Sequence, residues 1–247
     1  MFGFSKKNKS VSQAYHLNIK QDIHSHILPG LDDGSPDIET SLQLIKGLHA
    51  LGIKHSIATP HIIGDMFRNN VDTINAALEK LKVAIQQDGI DFEVHGAAEY
   101  MLDDYFMNLM HAKTPLMTLE KNLLLTELSY AMPPDKLEKI AFEIIINDYK
   151  PIMAHPERYF YYHKNYDAYY RLKELGFLLQ VNLLSLTGYY GIPAAKAAKF
   201  IFENNLADLV GTDLHHVRHL EILGKKENLV MLRKYMGDRM WNDFDAL

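Results

Sequence analysis

Short apolar runs alternate with amphipathic stretches along the chain, and this alternation constrains the fold more than any other feature of the sequence. Apolar runs bounded by turn residues, such as "KNLLLTELS" and "FLLQVN", predict buried strands. The stretches between them carry apolar residues at helical spacing. Neighbouring parallel strands need crossover helices of this kind, so the pattern predicts an α/β fold with a parallel sheet.

Seven strand-and-helix units follow one another without a low-complexity segment or a linker that would divide two domains. The predicted strands cover residues 17–24, 53–61, 90–100, 121–129, 151–158, 177–182 and 207–216. The predicted helices cover residues 37–51, 71–87, 103–111, 134–149, 165–175, 193–204 and 225–236. We therefore expect a single domain over residues 18–247. It follows a flexible extension over residues 1–17, whose start "MFGFSKKNKS" lacks the apolar core of a secretory signal.

Most of the predicted strands end in a side chain that can bind a metal ion. The stretch "DIHSHILPGLDDGS", residues 22–35, opens the series, because histidines two residues apart point to one side of an extended strand. The candidate metal ligands are His24, His26, Asp33, His61, Glu99, Glu127, His155, Asp213 and His215. In a barrel the carboxyl ends of the strands converge on one mouth, whereas an open doubly wound sheet spreads them along an edge. The recurrence of ligands at strand ends therefore favours a closed barrel of seven strands.

The candidate ligands are imidazoles and carboxylates only, because the chain has no cysteine. This donor set suits Zn, Mn or Fe, and nine donors are too many for one ion, so we expect two or three. Clustered divalent ions hold the oxygens of a phosphoryl group during its displacement. Arg158 and Arg218 each follow a candidate histidine by three residues, where they could bind the remaining phosphate oxygens. The pattern therefore indicates metal-dependent phosphoester hydrolysis.

The composition argues against several other classes of protein. A formal net charge of −5 gives no support to a nucleic-acid-binding protein, which usually has a basic surface. No apolar run approaches the ~18 residues that membrane insertion needs. The absence of cysteine fits a reducing compartment, and we expect a cytoplasmic protein.

The segments "DIHSH", "DDGS", "ATPH", "AAEY", "TELS", "AHPER" and "TDLHH" together resemble the polymerase and histidinol phosphatase (PHP) superfamily. Within it, "DIHSHILPGLDDGS" with "IATPH" and "AHPERY" is similar to the bacterial metal-dependent protein-tyrosine phosphatases encoded with capsule and exopolysaccharide genes. The resemblance extends over residues 22–218. It implies a distorted (βα)7 TIM-like barrel, the PHP fold, in which a metal-bound hydroxide hydrolyses phosphotyrosine. It also implies three ions, preferably manganese with iron or zinc as alternatives, and a bacterial tyrosine kinase with a tyrosine-rich tail as the substrate.

The resemblance divides the nine donors among three ions, with Glu99 as a bridging carboxylate. The first ion is held by His24, His26, Glu99 and Asp213, the second by Glu99, Glu127 and His155, and the third by Asp33, His61 and His215. Asp32 is the alternative to Asp33, and the sequence leaves that choice open. Arg158 matches the arginine of the His-Pro-Glu-Arg motif and is expected to bind phosphate. Arg218 matches a second substrate-binding arginine, which in the family lies slightly further from the Asp-x-His motif.

Other interpretations remain open at this point. The tyrosine-rich stretch of residues 158–170 could line an aromatic mouth, although packing of a helix face is the more common role of such a run. A small-molecule phosphoesterase resembling histidinol phosphatase would share the same ligands. A non-catalytic binding module is disfavoured because every ligand position is filled. An amidohydrolase is disfavoured because no lysine ends the fourth strand.

Overall fold

The computed structural model describes residues 16–246 of the 247-residue chain, which fold as one α/β domain. The flexible extension expected over residues 1–17 falls outside the described residues, apart from His16 and Leu17. Leu17 is buried in the core. None of the helices in the described range combines the length and hydropathy that crossing a bilayer requires.

Within residues 16–246, all the helices except two short ones occupy segments that the apolar spacing predicts. The helices are α1 Ile38–Ala50, α2 Val71–Asp88, α3 Asp104–His111, α4 Leu137–Ile146, α5 Asp167–Glu174, α6 Leu183–Leu186, α7 Ile192–Glu203, α8 Val217–Leu223 and α9 Lys226–Met236. Side-chain caps fix several of the starts, for example Asp37, which accepts a hydrogen bond from the Thr40 backbone. The short helices α6 and α8 were not predicted, since four and seven residues are too few to show a helical period.

The strands are short and lie mainly in one parallel sheet. They are β1 His55–Ala58, β2 His61–Ile63, β3 Phe67–Arg68, β4 Glu93–Gly96, β5 Glu99–Met101, β6 Leu123–Glu127, β7 Lys150–Ala154, β8 Leu178–Asn182 and β9 Leu209–Gly211. The seven-stranded sheet has the order β3-β2-β5-β6-β7-β8-β9, and only the β2–β3 pair is antiparallel. A second sheet is the parallel pair β1–β4. The prediction of an α/β fold with a parallel sheet is confirmed.

Two of the predicted strands are each divided in two. The prediction for residues 53–61 becomes β1 and the first residue of β2, because Pro60 between them has no backbone N–H to give to a sheet. The prediction for residues 90–100 becomes β4 and β5. Since β1 pairs with β4 and β2 pairs with β5, the two interrupted strands run side by side.

The first predicted strand, residues 17–24, is wrong as a continuous strand within the described range. The segment pairs with other parts of the chain only at isolated bridges, Ile19 with Trp241, Asp22 with Ser56, and Ser25 with Leu214. The last two bridges lie on two different neighbours, β1 and the residues that follow β9. The spacing of apolar residues does not show how the backbone hydrogen bonds of a segment are divided among its neighbours. The sequence therefore predicts a more regular strand here than the chain forms.

The buried apolar residues form two clusters. The larger one contains most of the apolar side chains of the helices, including Leu44, Ile74 and Ile201. The smaller cluster takes a buried side chain from six of the predicted strand segments, Ile23, Ile57, Ala97, Leu125, Ile152 and Leu209, and the partly buried Leu178 of the remaining segment packs against it. The parallel strands therefore bury apolar side chains on both faces, as expected for a sheet with helical crossovers.

Candidate metal centre

The nine residues predicted as ligands are brought together in one cluster. Glu127 ends β6, and His155 and Asp213 follow β7 and β9, whereas His61 and Glu99 begin β2 and β5. Four groups of side chains have donor atoms within 4.8 Å of one another: His26, Asp33, His61 and His215; His24, His26 and Asp213; His24, Glu99 and His155; His61, Glu99 and Glu127. These overlapping groups contain the nine predicted residues and no others from the described part of the chain. The cluster is therefore continuous, with several donors shared between neighbouring groups.

The His24–His26 pair lies in the fully buried part of this cluster. The Nε2 atoms of the two rings are 3.3 Å apart, so both imidazoles face the same side, as their spacing predicts. His24 Nε2 lies 3.2 Å from Glu99 Oε2 and 3.3 Å from Asp213 Oδ1. His26 Nε2 lies 3.5 Å and 3.4 Å from the same two oxygens. Two histidines and two carboxylates thus surround a common point.

Glu99 connects the two sides of the cluster through its two oxygens. Its Oε1 is 3.0 Å from His155 Nε2, and its Oε2 is 3.0 Å from His61 Nδ1. His61 Nδ1 is also 2.9 Å from Glu127 Oε1. A carboxylate placed between two sets of donors has the geometry of a bridging ligand, which is the role that the family resemblance implies for Glu99.

Asp32 and Asp33 have different environments. The side chain of Asp32 is fully buried, and its Oδ2 pairs with His26 Nδ1 at 2.7 Å and accepts from the His61 backbone at 3.0 Å. The side chain of Asp33 is 61% exposed, and its Oδ1 lies 3.5 Å from His61 Nε2 and 3.6 Å from His215 Nε2. This geometry favours Asp33 as a ligand and Asp32 as the carboxylate that orients His26.

Several buried donor atoms of the cluster are close together and yet make no hydrogen bond. His61 Nδ1, Glu99 Oε2 and Glu127 Oε1 have no hydrogen-bond partner within residues 16–246, although the nitrogen lies about 3 Å from both oxygens. Leaving such atoms buried and unpaired costs about 1–3 kcal/mol each, and more when they are charged. A cation among these atoms would remove that cost, so the residues fit a metal centre.

The charges of the cluster point to the same conclusion. Burial opposes the ionised form of Glu99, but the neighbouring His24 and His61 hold its pKa well below the ordinary value. Burial likewise opposes a charge on His24, but Glu99 and Asp213 raise its pKa. The carboxylates therefore remain negative and attract positive charge, which either protonated histidines or bound cations can supply.

Two of the candidate ligands hold unusual backbone conformations. His155 has φ 35° and Asp213 has φ 50°, both in the left-handed region, and each follows the end of a strand. Such a conformation costs about 1–3 kcal/mol for a residue other than glycine, and it is commonly retained where function requires it. Both side chains lie in the cluster, with His155 Nε2 beside Glu99 and Asp213 Oδ1 beside His24.

Arg158 lies at the wall of the cavity beside the cluster. Its Nη1 donates to Asp213 Oδ2 at 2.6 Å, and its guanidinium carbon lies 4.1 Å from the ring centroid of Tyr190 and 5.0 Å from that of Tyr130. The cavity has a volume of about 270 Å³. Arg218, in contrast, is exposed on the first turn of α8 and is not among the described residues that line this cavity.

The tyrosine-rich stretch contributes mainly to packing. Tyr159 and Tyr169 are fully buried, and Tyr169 packs near Tyr166 and Phe200. The tyrosines that line the cavity come from elsewhere in the chain: Tyr130, Tyr189 and Tyr190. Of the two interpretations that the sequence leaves open, helix packing describes most of this stretch.

Gln180 and Asn182 were missed by the sequence reasoning. Both are fully buried on β8 and bond to candidate ligands, Gln180 to His24 and Asn182 to Asp213. The signal was present in "LLQVN", where two polar residues at alternate positions end an otherwise apolar strand. Amides are not common metal ligands, so a search for donors passes over them.

Comparison with known proteins places the chain in a family. The family model described as capsular polysaccharide synthesis, CpsB/CapC, matches residues 20–243. The chain belongs to this family. Among its curated relatives, the tyrosine-protein phosphatase YwqE of Bacillus subtilis is 29% identical over 228 residues, which are 89% of this chain and 86% of the relative. The tyrosine-protein phosphatase CpsB of Streptococcus agalactiae is 25% identical over 203 residues, covering 79% and 83% of the two chains.

Solved structures agree with this CpsB/CapC membership. One match comes from the crystal structures of YwqE from Bacillus subtilis and CpsB from Streptococcus pneumoniae, described as unique metal-dependent tyrosine phosphatases. Its TM-score is 0.78 at 27% sequence identity, and the match covers 89% of this chain and 88% of the solved chain. The histidinol phosphate phosphatase of Lactococcus lactis, solved with zinc, L-histidinol and phosphate, matches with a TM-score of 0.52 and 12% identity over 87% and 92% of the chains. The second match shows a shared fold only. The resemblance drawn from the sequence motifs is confirmed.

Proposed function

We propose that the protein is a metal-dependent protein-tyrosine phosphatase that acts in capsule or exopolysaccharide synthesis. The observation that carries this proposal is the convergence of nine imidazole and carboxylate side chains beside a cavity that has Arg158 at its wall. The relatives named as tyrosine-protein phosphatases support the same activity, as does the structure described as metal-dependent.

The nine donors suit three cations, preferably manganese, with iron or zinc as alternatives. When bound, such ions lower the pKa of a coordinated water and neutralise the oxygens of the phosphoryl group. Glu99 would bridge two of the ions, and Asp33, His61 and His215 would hold the one nearest to solvent. Asp32 keeps the ring of His26 in a fixed orientation.

Arg158 binds the phosphate in this proposal. Asp213 fixes one edge of the guanidinium, and the rings of Tyr130 and Tyr190 lie against it, so its plane is held before substrate arrives. The remaining N–H groups can then meet two phosphate oxygens together. Arg218 is a second proposed phosphate contact, which its exposed side chain would reach by turning toward the cavity.

The aromatic wall of the cavity suits the ring of phosphotyrosine. Tyr130, Tyr189 and Tyr190 offer ring faces and edges against which that ring can pack. The leaving tyrosinate has a pKa of about 10 and needs little help from a general acid. The side chains of the site therefore serve mainly to bind the phosphate and to position the cations.

We further propose that the seven strand segments close into a distorted (βα)7 barrel of the PHP type over residues 18–247. Two observations support closure. The bridges of Asp22 to Ser56 and Ser25 to Leu214 join residues 22–25 to β1 on one side and to the segment after β9 on the other. The smaller apolar cluster, together with the Leu178 side chain packed against it, also includes side chains from all seven segments, as the interior of a barrel does. Residues 1–17 would be an extension to this barrel.

We infer that the substrate is a bacterial tyrosine kinase with a tyrosine-rich tail, because such a tail can present a phosphotyrosine to the mouth of the cavity. The cytoplasm is the proposed compartment, and the absence of cysteine supports a reducing environment.

The test compares three substrates with the manganese-loaded protein: a phosphotyrosine peptide, the same peptide with phosphoserine, and histidinol phosphate. We expect the phosphotyrosine peptide to give the highest kcat/KM and the His26→Ala variant to be inactive on it. Equal rates on both peptides would reduce the protein to a general phosphoesterase. A preference for histidinol phosphate would support the small-molecule phosphoesterase instead.

A further inference from the structure

Two buried amides on β8 connect two candidate ligands that come from opposite ends of the chain. Gln180 Oε1 lies 2.7 Å from His24 Nδ1, and Gln180 Nε2 donates to Asn182 Oδ1 at 3.0 Å. Asn182 Nδ2 in turn donates to Asp213 Oδ2 at 2.7 Å. All four residues are at most 1% exposed, so water does not compete for these bonds.

The direction of these bonds follows from chemistry alone. An ionised carboxylate only accepts hydrogen bonds, so Asn182 must present its NH₂ group to Asp213. Its carbonyl oxygen then faces Gln180, which must answer with its own NH₂ group. The oxygen of Gln180 is thereby left facing His24, and only a protonated Nδ1 can donate to it.

The surroundings keep this arrangement in place. The backbone N–H of Asn182 donates to the buried Glu157 Oε1 at 2.9 Å, and Arg158 adds a second donor to Asp213 Oδ2. Gly211 lies against the pair, since a Cβ at this position would stand 2.7 Å from both Gln180 Nε2 and His24 Cβ. A side chain here would push the amide and the imidazole apart.

We propose that Gln180 and Asn182 are positioning residues that form a one-directional hydrogen-bond relay from His24 to Asp213. The relay holds His24 with its proton on Nδ1, so that Nε2 is the atom that binds a cation. It also occupies Oδ2 of Asp213 and thereby directs Oδ1 toward the same point. This inference rests on the metal centre of the proposed function and is independent of the substrate.

The first test observes the proton of His24 directly. In zinc-loaded protein with ¹⁵N-labelled histidine, we expect a proton bound to His24 Nδ1 that exchanges slowly with water, assigned by its loss in His24→Gln. The Gln180→Leu variant should lose this slow exchange because the acceptor is removed. A proton on His24 Nε2 in the zinc-loaded protein would overturn the relay.

The second test measures the affinity of the tightest zinc site by competition with a chelator. Gln180→Leu and Asn182→Leu should each weaken it by about 10- to 100-fold, as loss of a partner behind a metal ligand does. Because the two amides act as one unit, the double variant should be little weaker than the single variants. The relay would be overturned if the loss of affinity in the double variant equalled the sum of the two single losses, or if the single variants kept native affinity.

Two further variants separate the relay from a general loss of stability. Thr126→Val is the control, because it removes one buried hydrogen bond, from Thr126 Oγ1 to the Ile152 carbonyl oxygen, away from the metal centre. The Thr126 side chain lies on the face of β6 opposite to that of Glu127, so the zinc affinity of this variant should equal that of the native protein. Gln180→Glu keeps the volume and the acceptor for His24 but turns an oxygen toward Asn182 Oδ1. It should keep the slowly exchanging His24 Nδ1 proton, because a carboxylate oxygen accepts from Nδ1 as the amide oxygen does. Loss of the slow exchange of that proton in Gln180→Glu would contradict the relay.

Neither measurement uses a phosphorylated substrate. A protein that hydrolyses phosphotyrosine while Gln180→Leu keeps native zinc affinity would reject the relay and leave the phosphatase standing. A protein with the His24 proton and the affinity losses but without phosphotyrosine hydrolysis would reject only the function.

Discussion

The candidate metal centre has a buried floor and an exposed rim. The floor consists of His24, His26, Glu99, Glu127, His155 and Asp213, whose side chains are at most 2% exposed. The rim consists of Asp33, His61 and His215, whose side chains are 61%, 12% and 13% exposed. Buried partners such as Gln180 and Asp32 fix floor histidines, whereas Asp33 approaches the rim histidines only to about 3.5 Å. Because hydrogen-bond partners already hold the floor histidines, the floor is preorganised for cations. We expect it to bind them more tightly than the rim does.

The largest effect is expected from a change in the floor. Glu99→Gln keeps the volume but removes the charge and the bridging oxygen, so we expect kcat to fall by about a thousandfold, or about 4 kcal/mol of transition-state stabilisation. Metal content should fall with it. Steady-state kinetics on a phosphotyrosine peptide, with circular dichroism as a control for folding, would check this. A folded Glu99→Gln protein with native turnover would show that the floor is not the reaction site.

A change in the rim should remove less. His215→Ala leaves every floor ligand in place, so we expect the loss of one ion per chain and a fall in kcat of about a hundredfold. Metal analysis after gel filtration, compared with Glu99→Gln, measures the difference between the two regions. If His215→Ala loses as many ions as Glu99→Gln does, the division into floor and rim is wrong.

Arg158 borders the floor and is expected to have a still smaller effect. Arg158→Ala should raise KM and lower kcat, together by about 10- to 100-fold, while metal content is retained, since Asn182 still donates to Asp213 Oδ2 when the guanidinium is removed. Arg158→Lys should restore only part of the loss, because an ammonium cannot bind two phosphate oxygens as a guanidinium does. Loss of metal in Arg158→Ala would mean that Arg158 supports the floor instead.

The smallest effect concerns protons at the rim. Burial and the charge of His26 oppose a proton on His61, but Glu99 and Glu127 raise the pKa of His61 to about 10. Without a cation His61 is therefore protonated at about pH 7. A cation binds the neutral ring, so its binding should release this proton, and affinity should rise with pH. Calorimetry of metal binding in two buffers of different ionisation enthalpy measures the release. Equal heats in both buffers would contradict the assignment of His61.

The candidate ligands of the floor could be picked out from the sequence because each lies at or near the end of a predicted strand. The His24–His26 pair is the clearest case, since alternate residues share one face of an extended segment. The choice between Asp32 and Asp33 could not be made from the sequence, because neighbouring residues differ by only one position in their spacing to every motif. Only the side-chain directions, one toward His26 Nδ1 and the other toward the rim, separate them.

Other features depend on long-range contacts, which the hydrophobic periodicity of the sequence does not show. The strand predicted over residues 17–24 forms only isolated bridges, since its bonding is shared between two neighbours that are distant in sequence. The functions of Gln180 and Asn182 depend on His24 and Asp213, which lie in distant segments of the chain. Arg158 was predicted from its motif, whereas the rings that hold it, Tyr130 and Tyr190, belong to separate loops.

The central claim is that these nine side chains hold cations that phosphotyrosine hydrolysis requires. The most direct test removes metal stepwise with a chelator and measures, on the same samples, bound metal per chain and the rate on a phosphotyrosine peptide, before Mn²⁺ is added back. We predict three ions per chain at full activity, a rate that falls to background as the metal is removed, and recovery with Mn²⁺. A full rate after all metal has been removed would contradict the account.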